Sequence, residues 1–125
     1  MLVKSSDRSK ICYIETKSLD GETNLKTKIC DKLLSTKVKL QDISTLNTLV
    51  GKITCDDAND MLYKFEGAYY LDYHNKKIPI NNDNIVLRGT RLKNTEFVIG
   101  IVVYTGHETK IMKNSKNAKF KMSRI

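Results

Sequence analysis

Apolar and polar positions along this chain alternate over short runs more often than they recur at helical spacing. Ile11-Cys12-Tyr13-Ile14-Glu15-Thr16 is rich in strand-forming residues, and Cys12, Ile14 and Thr16 fall on one face. Ser18 to Asn24 interrupts it with turn formers. Leu25, Ile29, Leu33 and Leu34 then recur at helix-like spacing, which predicts a short helix over 25–34. Asp42 is placed to cap a one- or two-turn helix running through Leu46 and Leu49. Beyond that the pattern is β. Val50 to Cys55 and Met61 to Phe65, split by the polar run Asp56 to Asp60, read as a hairpin. Tyr69 to Tyr73 and Lys77 to Ile80 read as another, around His74-Asn75-Lys76. Ile85-Val86-Leu87 is a short buried run, and Phe97 to Tyr104 predicts the strongest strand, buried on both faces. Thr105-Gly106-His107 stops it, and Glu108 to Asn114 can form a helical turn or two. The sum is a mainly β fold, a small sandwich or barrel decorated with short helices.

Composition narrows the class. At 125 residues the chain is one domain or part of one, with 40% hydrophobic residues and enough length to bury a core without disulfides or metal. No apolar run approaches a membrane span. Met1-Leu2-Val3 leads straight into Lys4-Ser5-Ser6-Asp7, without a secretory pattern. Cys12, Cys30 and Cys55 are odd in number and widely spaced, so they read as free thiols in the core or at the surface. No Cys/His pair has zinc-ligand spacing. The formal net charge of +8 suits a polyanionic partner, be it nucleic acid, an anionic membrane face or a phosphorylated ligand.

The string with most chemical content is Asp20-Gly21-Glu22-Thr23-Asn24, two carboxylates flanking a glycine directly after a strand. By spacing alone two readings stand. It is an Asx-type turn with a solvated glutamate, or it presents a carboxylate able to position water or hold a divalent cation. Arg88 and Arg91 read as a surface pair covering a β-hairpin. His107 is a strand stop before it is a proton shuttle. Of Tyr69, Tyr70 and Tyr73, Tyr70 cannot share a strand face with the other two.

Tyr13-Ile14-Glu15-Thr16, followed by Asp20-Gly21-Glu22-Thr23-Asn24-Leu25-Lys26, closely resembles the actuator-domain signature of the type IV P-type ATPases, the phospholipid flippases. Further blocks follow in that family's order: Gly51 to Asp56 with Leu62 to Gly67, Leu87 to Thr95, and Val102 to Lys110. The likeness is thinnest over 27–49 and after Asn114, and Lys17-Ser18 is bulkier and more charged than the family pattern.

The resemblance implies a distorted, jelly-roll-like β-sandwich over 1–113, with upstream strands of the domain missing. It implies a basic linker over 114–125 running toward a transmembrane helix. Glu22 would activate water against an aspartyl phosphate elsewhere in the polypeptide, Gly21 would keep the loop slim, and Asp20 and Thr23 would shape it. ATP and Mg2+ would be bound by absent domains, with no metal held here. The implied partners are the phosphorylation and nucleotide-binding domains, which Arg88 and Arg91 would contact, a phospholipid substrate, an accessory β-subunit and the anionic membrane surface. The whole protein would sit in a membrane, with this domain on the cytosolic side. Alternatives are a regulatory ATPase-like module fused to another enzyme such as a nucleotide cyclase, or a basic nucleic-acid-binding β-barrel.

Overall fold

Strands dominate the computed structural model, which describes residues 1–72 and 76–115. Among the described residues, eight strands form three small antiparallel sheets. In chain order they are β1 (Leu2–Ser5), β2 (Ile11–Glu15), β3 (Lys26–Ile29), β4 (Gly51–Cys55), β5 (Glu66–Leu71), β6 (Lys76–Asn81), β7 (Arg91–Lys93) and β8 (Val98–Gly100). The sheets run β1-β8, β3-β2-β7 and β4-β5-β6. Helix α1 spans Lys17–Asp20, α2 spans Lys32–Lys37, and α3 covers 110–115. The mainly β expectation holds, without a closed barrel.

Alternation places the core. Cys12 and Ile14 on β2 are buried while Tyr13 is half exposed, and Ile78 and Ile80 on β6 point inward between exposed Lys77 and Pro79. Pro79 is tolerated because β6 is an edge strand. β1 divides its side chains between two clusters. Val3 joins Leu34, Val38, Tyr69, Ile78 and Ile80, whereas Leu2 joins Cys12, Ile14 and Cys30. Asp42 does cap a short helix, a 3-10 turn over Ile43–Thr48, by accepting from the Ser44 amide.

Three expectations are corrected. Residues 25–34 are not one helix. Lys26–Ile29 pairs with β2 as a strand, from Ile11↔Ile29 to Ile14↔Lys26. The helix starts only at Lys32, because the Asp31 carboxylate accepts from the Leu33 and Leu34 amides and sets the boundary. The strand opposite β4 is not Met61–Phe65 but β5, in the register Cys55↔Gly67. The Asp56 amide donates to the Glu66 carbonyl, and the Asp56 carboxylate accepts from the Glu66 amide. This pairing closes residues 57–65 into a folded connection. Finally, Phe97 to Tyr104 is paired only over Val98–Gly100, against β1. Past the Ile101 amide, which donates to the Met1 carbonyl, no strand runs alongside among the described residues, and Val102 is 75% exposed. The apolar run is one wall of an open groove of about 530 Å³ shared with Leu2, Ile85 and Leu87.

The β5–β6 hairpin is as expected, with Tyr69 buried and Tyr70 half exposed. Tyr73 and His74, and all of the expected 114–125 linker but its first two residues, lie outside the described residues. Cys12 and Cys30 are buried free thiols and Cys55 is an exposed one.

Candidate functional site: the Asp20–Thr23 turn

Because β2 and β3 pair antiparallel up to Ile14↔Lys26, the chain between them is the tip of a hairpin. Its first part is α1, a single turn begun when the Leu19 and Asp20 amides donate to the Thr16 carbonyl. Gly21 ends it. At φ 75° its left-handed conformation lets its amide reach the Lys17 carbonyl at 2.9 Å, a cap that glycine accepts without steric cost. The backbone then turns outward, and Glu22, Thr23 and Asn24 stand exposed.

Asp20 and Glu22 receive different treatment. The Asp20 carboxylate accepts from the Thr16 hydroxyl at 3.0 Å, the Glu22 amide at 2.9 Å, the Lys26 ammonium at 3.0 Å and the Tyr63 hydroxyl. The Tyr63 bond, more than the Glu22, Lys26 and Thr16 bonds, holds its carboxyl well below the ordinary carboxylate range despite partial burial. Glu22 keeps 58% of its side chain exposed and has Lys26 at 3.2 Å. Lys26 lies 3.7 Å from the centre of the Tyr63 ring. Burial pulls Lys26 down, but Tyr63, Asp20 and Glu22 outweigh it and the ammonium is strengthened. Asp20 is therefore a brace, and Glu22 is a presented carboxylate.

The structure thus groups Asp20, Gly21, Glu22 and Thr23 at one tip. Arg91 pairs with Glu15 at the end of β2, which sets it at the base of that tip. Arg88 precedes Gly89, where a Cβ would lie 3.6 Å from Leu19 of α1. Both arginines are exposed. His107 is exposed in a 3-10 turn over Gly106–Glu108, well past the end of β8 at Gly100, so it does not stop that strand and instead lies just before α3. In the sequence Tyr63 reads only as a strand position. It meets Asp20 across 43 residues of chain, and no local pattern marks such a contact.

Among the described residues no group of three or more His, Cys, Asp or Glu side chains is placed to hold a metal ion, and at this tip Lys26 pairs with both carboxylates, at 3.0 Å from Asp20 and 3.2 Å from Glu22.

No family model matches the chain. Curated proteins match it from end to end. It is 44% identical over 125 residues to the probable phospholipid-transporting ATPase 7 of Arabidopsis thaliana. It is 43% identical to the human phospholipid-transporting ATPase IC and 42% identical to the human ATPase ID, again over 125 residues. The chain is homologous to phospholipid-transporting ATPases. All of it is matched, yet it spans only about a tenth of the length of these relatives. No helix among the described residues is long and apolar enough to cross a membrane.

Proposed function

We propose that this chain is the actuator segment of a phospholipid-transporting ATPase, and that its Asp20-Gly21-Glu22-Thr23 turn drives hydrolysis of an aspartyl phosphate formed elsewhere in the longer polypeptide. The observation that carries the reading is the division of labour at the tip. Asp20 is fully engaged in holding the turn, while Glu22 is exposed beyond a left-handed glycine. End-to-end identity with ATPases that move phospholipids supports the setting.

A covalent aspartyl phosphate splits one hard phosphoryl transfer into two easier ones. In the second, a water oxygen forms a bond to phosphorus as the bond to the aspartyl oxygen breaks. Glu22 accepts a proton from that water, and the products are inorganic phosphate and the free aspartate. A carboxylate suits this role because it orients water in line with the leaving oxygen and removes its proton as charge develops. Thr23 and the Asp20-braced backbone shape the approach, and the lack of a Gly21 side chain keeps the tip narrow. Arg88 and Arg91, near the base of the tip, suit contact with a phosphorylated partner domain. ATP and Mg2+ belong on this reading to domains beyond this chain.

The test is Glu22→Gln in the full-length pump, with the phosphoenzyme followed after an ATP pulse. Phosphoenzyme should form at its usual rate and decay about 10²–10⁴-fold more slowly, the usual contribution of a general base. Decay at the unmodified rate would remove Glu22 from the mechanism.

A further inference from the structure

We propose that Tyr63 is a positioning residue for the Asp20–Glu22 turn, and that the segment around it, residues 59–64, links the turn mechanically to α3. The functional part of this inference rests on the reading of Glu22 given above.

Thr16, Glu22 and Lys26 all approach Asp20 from within the β2–β3 hairpin. Tyr63 approaches it from outside, and its ring also covers the Lys26 ammonium that pairs with Glu22. One side chain therefore constrains both the anchoring carboxylate and the counter-ion of the presented one. Tyr63 is itself held by a folded segment. The Asn59 side chain accepts from the Met61 amide at 3.0 Å, and the Lys64 amide donates to the Met61 carbonyl at 3.3 Å.

That segment is tied to the start of α3. Lys110 is only 6% exposed, and its ammonium donates to the Asn59 side chain and, at 3.0 Å, to the Lys64 carbonyl. Asn114, one turn on, donates to the Asp60 carbonyl. A buried ammonium has few geometries that satisfy its donors, so its acceptors are held in place as well. Desolvation weakens Lys110 as an acid-base cation, and Asp56 and Asp60 offset part of that. On the other flank, Ile111 of α3 lies 2.8 Å from where a Gly89 Cβ would stand, beside Leu19 of α1. Displacing α3 would therefore move Lys64 and Asn59, then Tyr63, and with it the brace on Asp20. The route is contiguous and made of directional bonds, and variants can show whether it carries coupling.

Two measurements separate this inference from the reading of Glu22. The first uses the chain itself and needs no activity. In amide NMR spectra, Tyr63→Phe keeps the ring and removes only the hydroxyl. It should shift the Gly21 and Glu22 signals and let the Asp20 carboxyl titrate closer to the ordinary carboxylate range. Lys110→Met should shift the same two amides, which Lys110 does not touch. Asn59→Ala, which leaves the Lys64 acceptor in place, substitutes for it if that variant fails to fold. Unmoved Gly21 and Glu22 signals in Tyr63→Phe overturn the positioning role. Unmoved signals in Lys110→Met or its substitute overturn the link to α3.

The second measurement uses the full-length pump. Tyr63→Phe should slow phosphoenzyme decay about tenfold at unchanged phosphoenzyme formation, as expected for a modest misplacement of a reacting group. Normal decay in Tyr63→Phe beside a trapped Glu22→Gln enzyme overturns the positioning role and leaves the role of Glu22 standing. Normal decay in both overturns the role of Glu22, and the amide shifts then decide the link alone.

Discussion

Gly21 and Gly51 show how differently two glycines can matter. Gly21 is left-handed at φ 75° with nothing within 4 Å of where a Cβ would be. Gly21→Ala should therefore cost only backbone strain, about 1 kcal/mol in urea unfolding. A Cβ on Gly51 would sit 2.1 Å from the Tyr70 carbonyl oxygen, a backbone atom paired across β4 and β5. Gly51→Ala must push the strands apart, so a loss of roughly 2–3 kcal/mol is expected. Equal midpoints for the two variants would contradict this contrast. The acidic turn was legible at this scale because its residues are contiguous. The brace was not, since Tyr63 looks in sequence like one more strand residue, and only tertiary structure brings its hydroxyl to Asp20.

Elements were legible where burial is one-sided and capping local. β2 and the β5–β6 hairpin followed from alternation, and the Ile43–Thr48 turn from Asp42. The stretch 25–34 misled because Leu25, Ile29 and Leu33 mimic a helical face while Lys26, Thr27, Lys28 and Ile29 lie in a strand. Leu25 and Ile29 are exposed, and it is Lys28 that is buried there. Its ammonium donates to the Asn82 carbonyl at 2.8 Å, and an apolarity count would not place a lysine inward. Asp31 is what divides strand from helix. Asp31→Ala removes both amide contacts and should lower stability by about 1 kcal/mol, with loss of helical signal confined to α2. An unchanged unfolding midpoint would show that packing of Leu34, not the cap, sets the boundary.

At the scale of the molecule, the net charge of +8 and the open apolar groove describe a surface rather than a fold. On the proposed reading the charge faces an anionic bilayer, where each lysine or arginine near the surface contributes on the order of 1 kcal/mol. The chain should therefore sediment with phosphatidylserine-containing vesicles at low salt and leave them as salt is raised, and should ignore phosphatidylcholine. Salt-insensitive binding, or equal binding to both lipids, would rule the electrostatic account out. The β content was readable from pattern, but the division into three sheets was not, since register across distant strands such as β1 and β8 leaves no local trace.

The connection over residues 57–65 has one more consequence. Connections between hairpin strands ordinarily absorb insertions and deletions, and evolution and engineering both use them that way. This one is gripped at both ends by the pairing of Asp56 with Glu66 and along its length by Lys110 and Asn114. It behaves as a spacer of fixed length. Adding or removing one residue there would leave the β4–β5 sheet intact yet withdraw Tyr63 from Asp20. A connection between two hairpin strands is thus unable to change its length without releasing the turn that it braces.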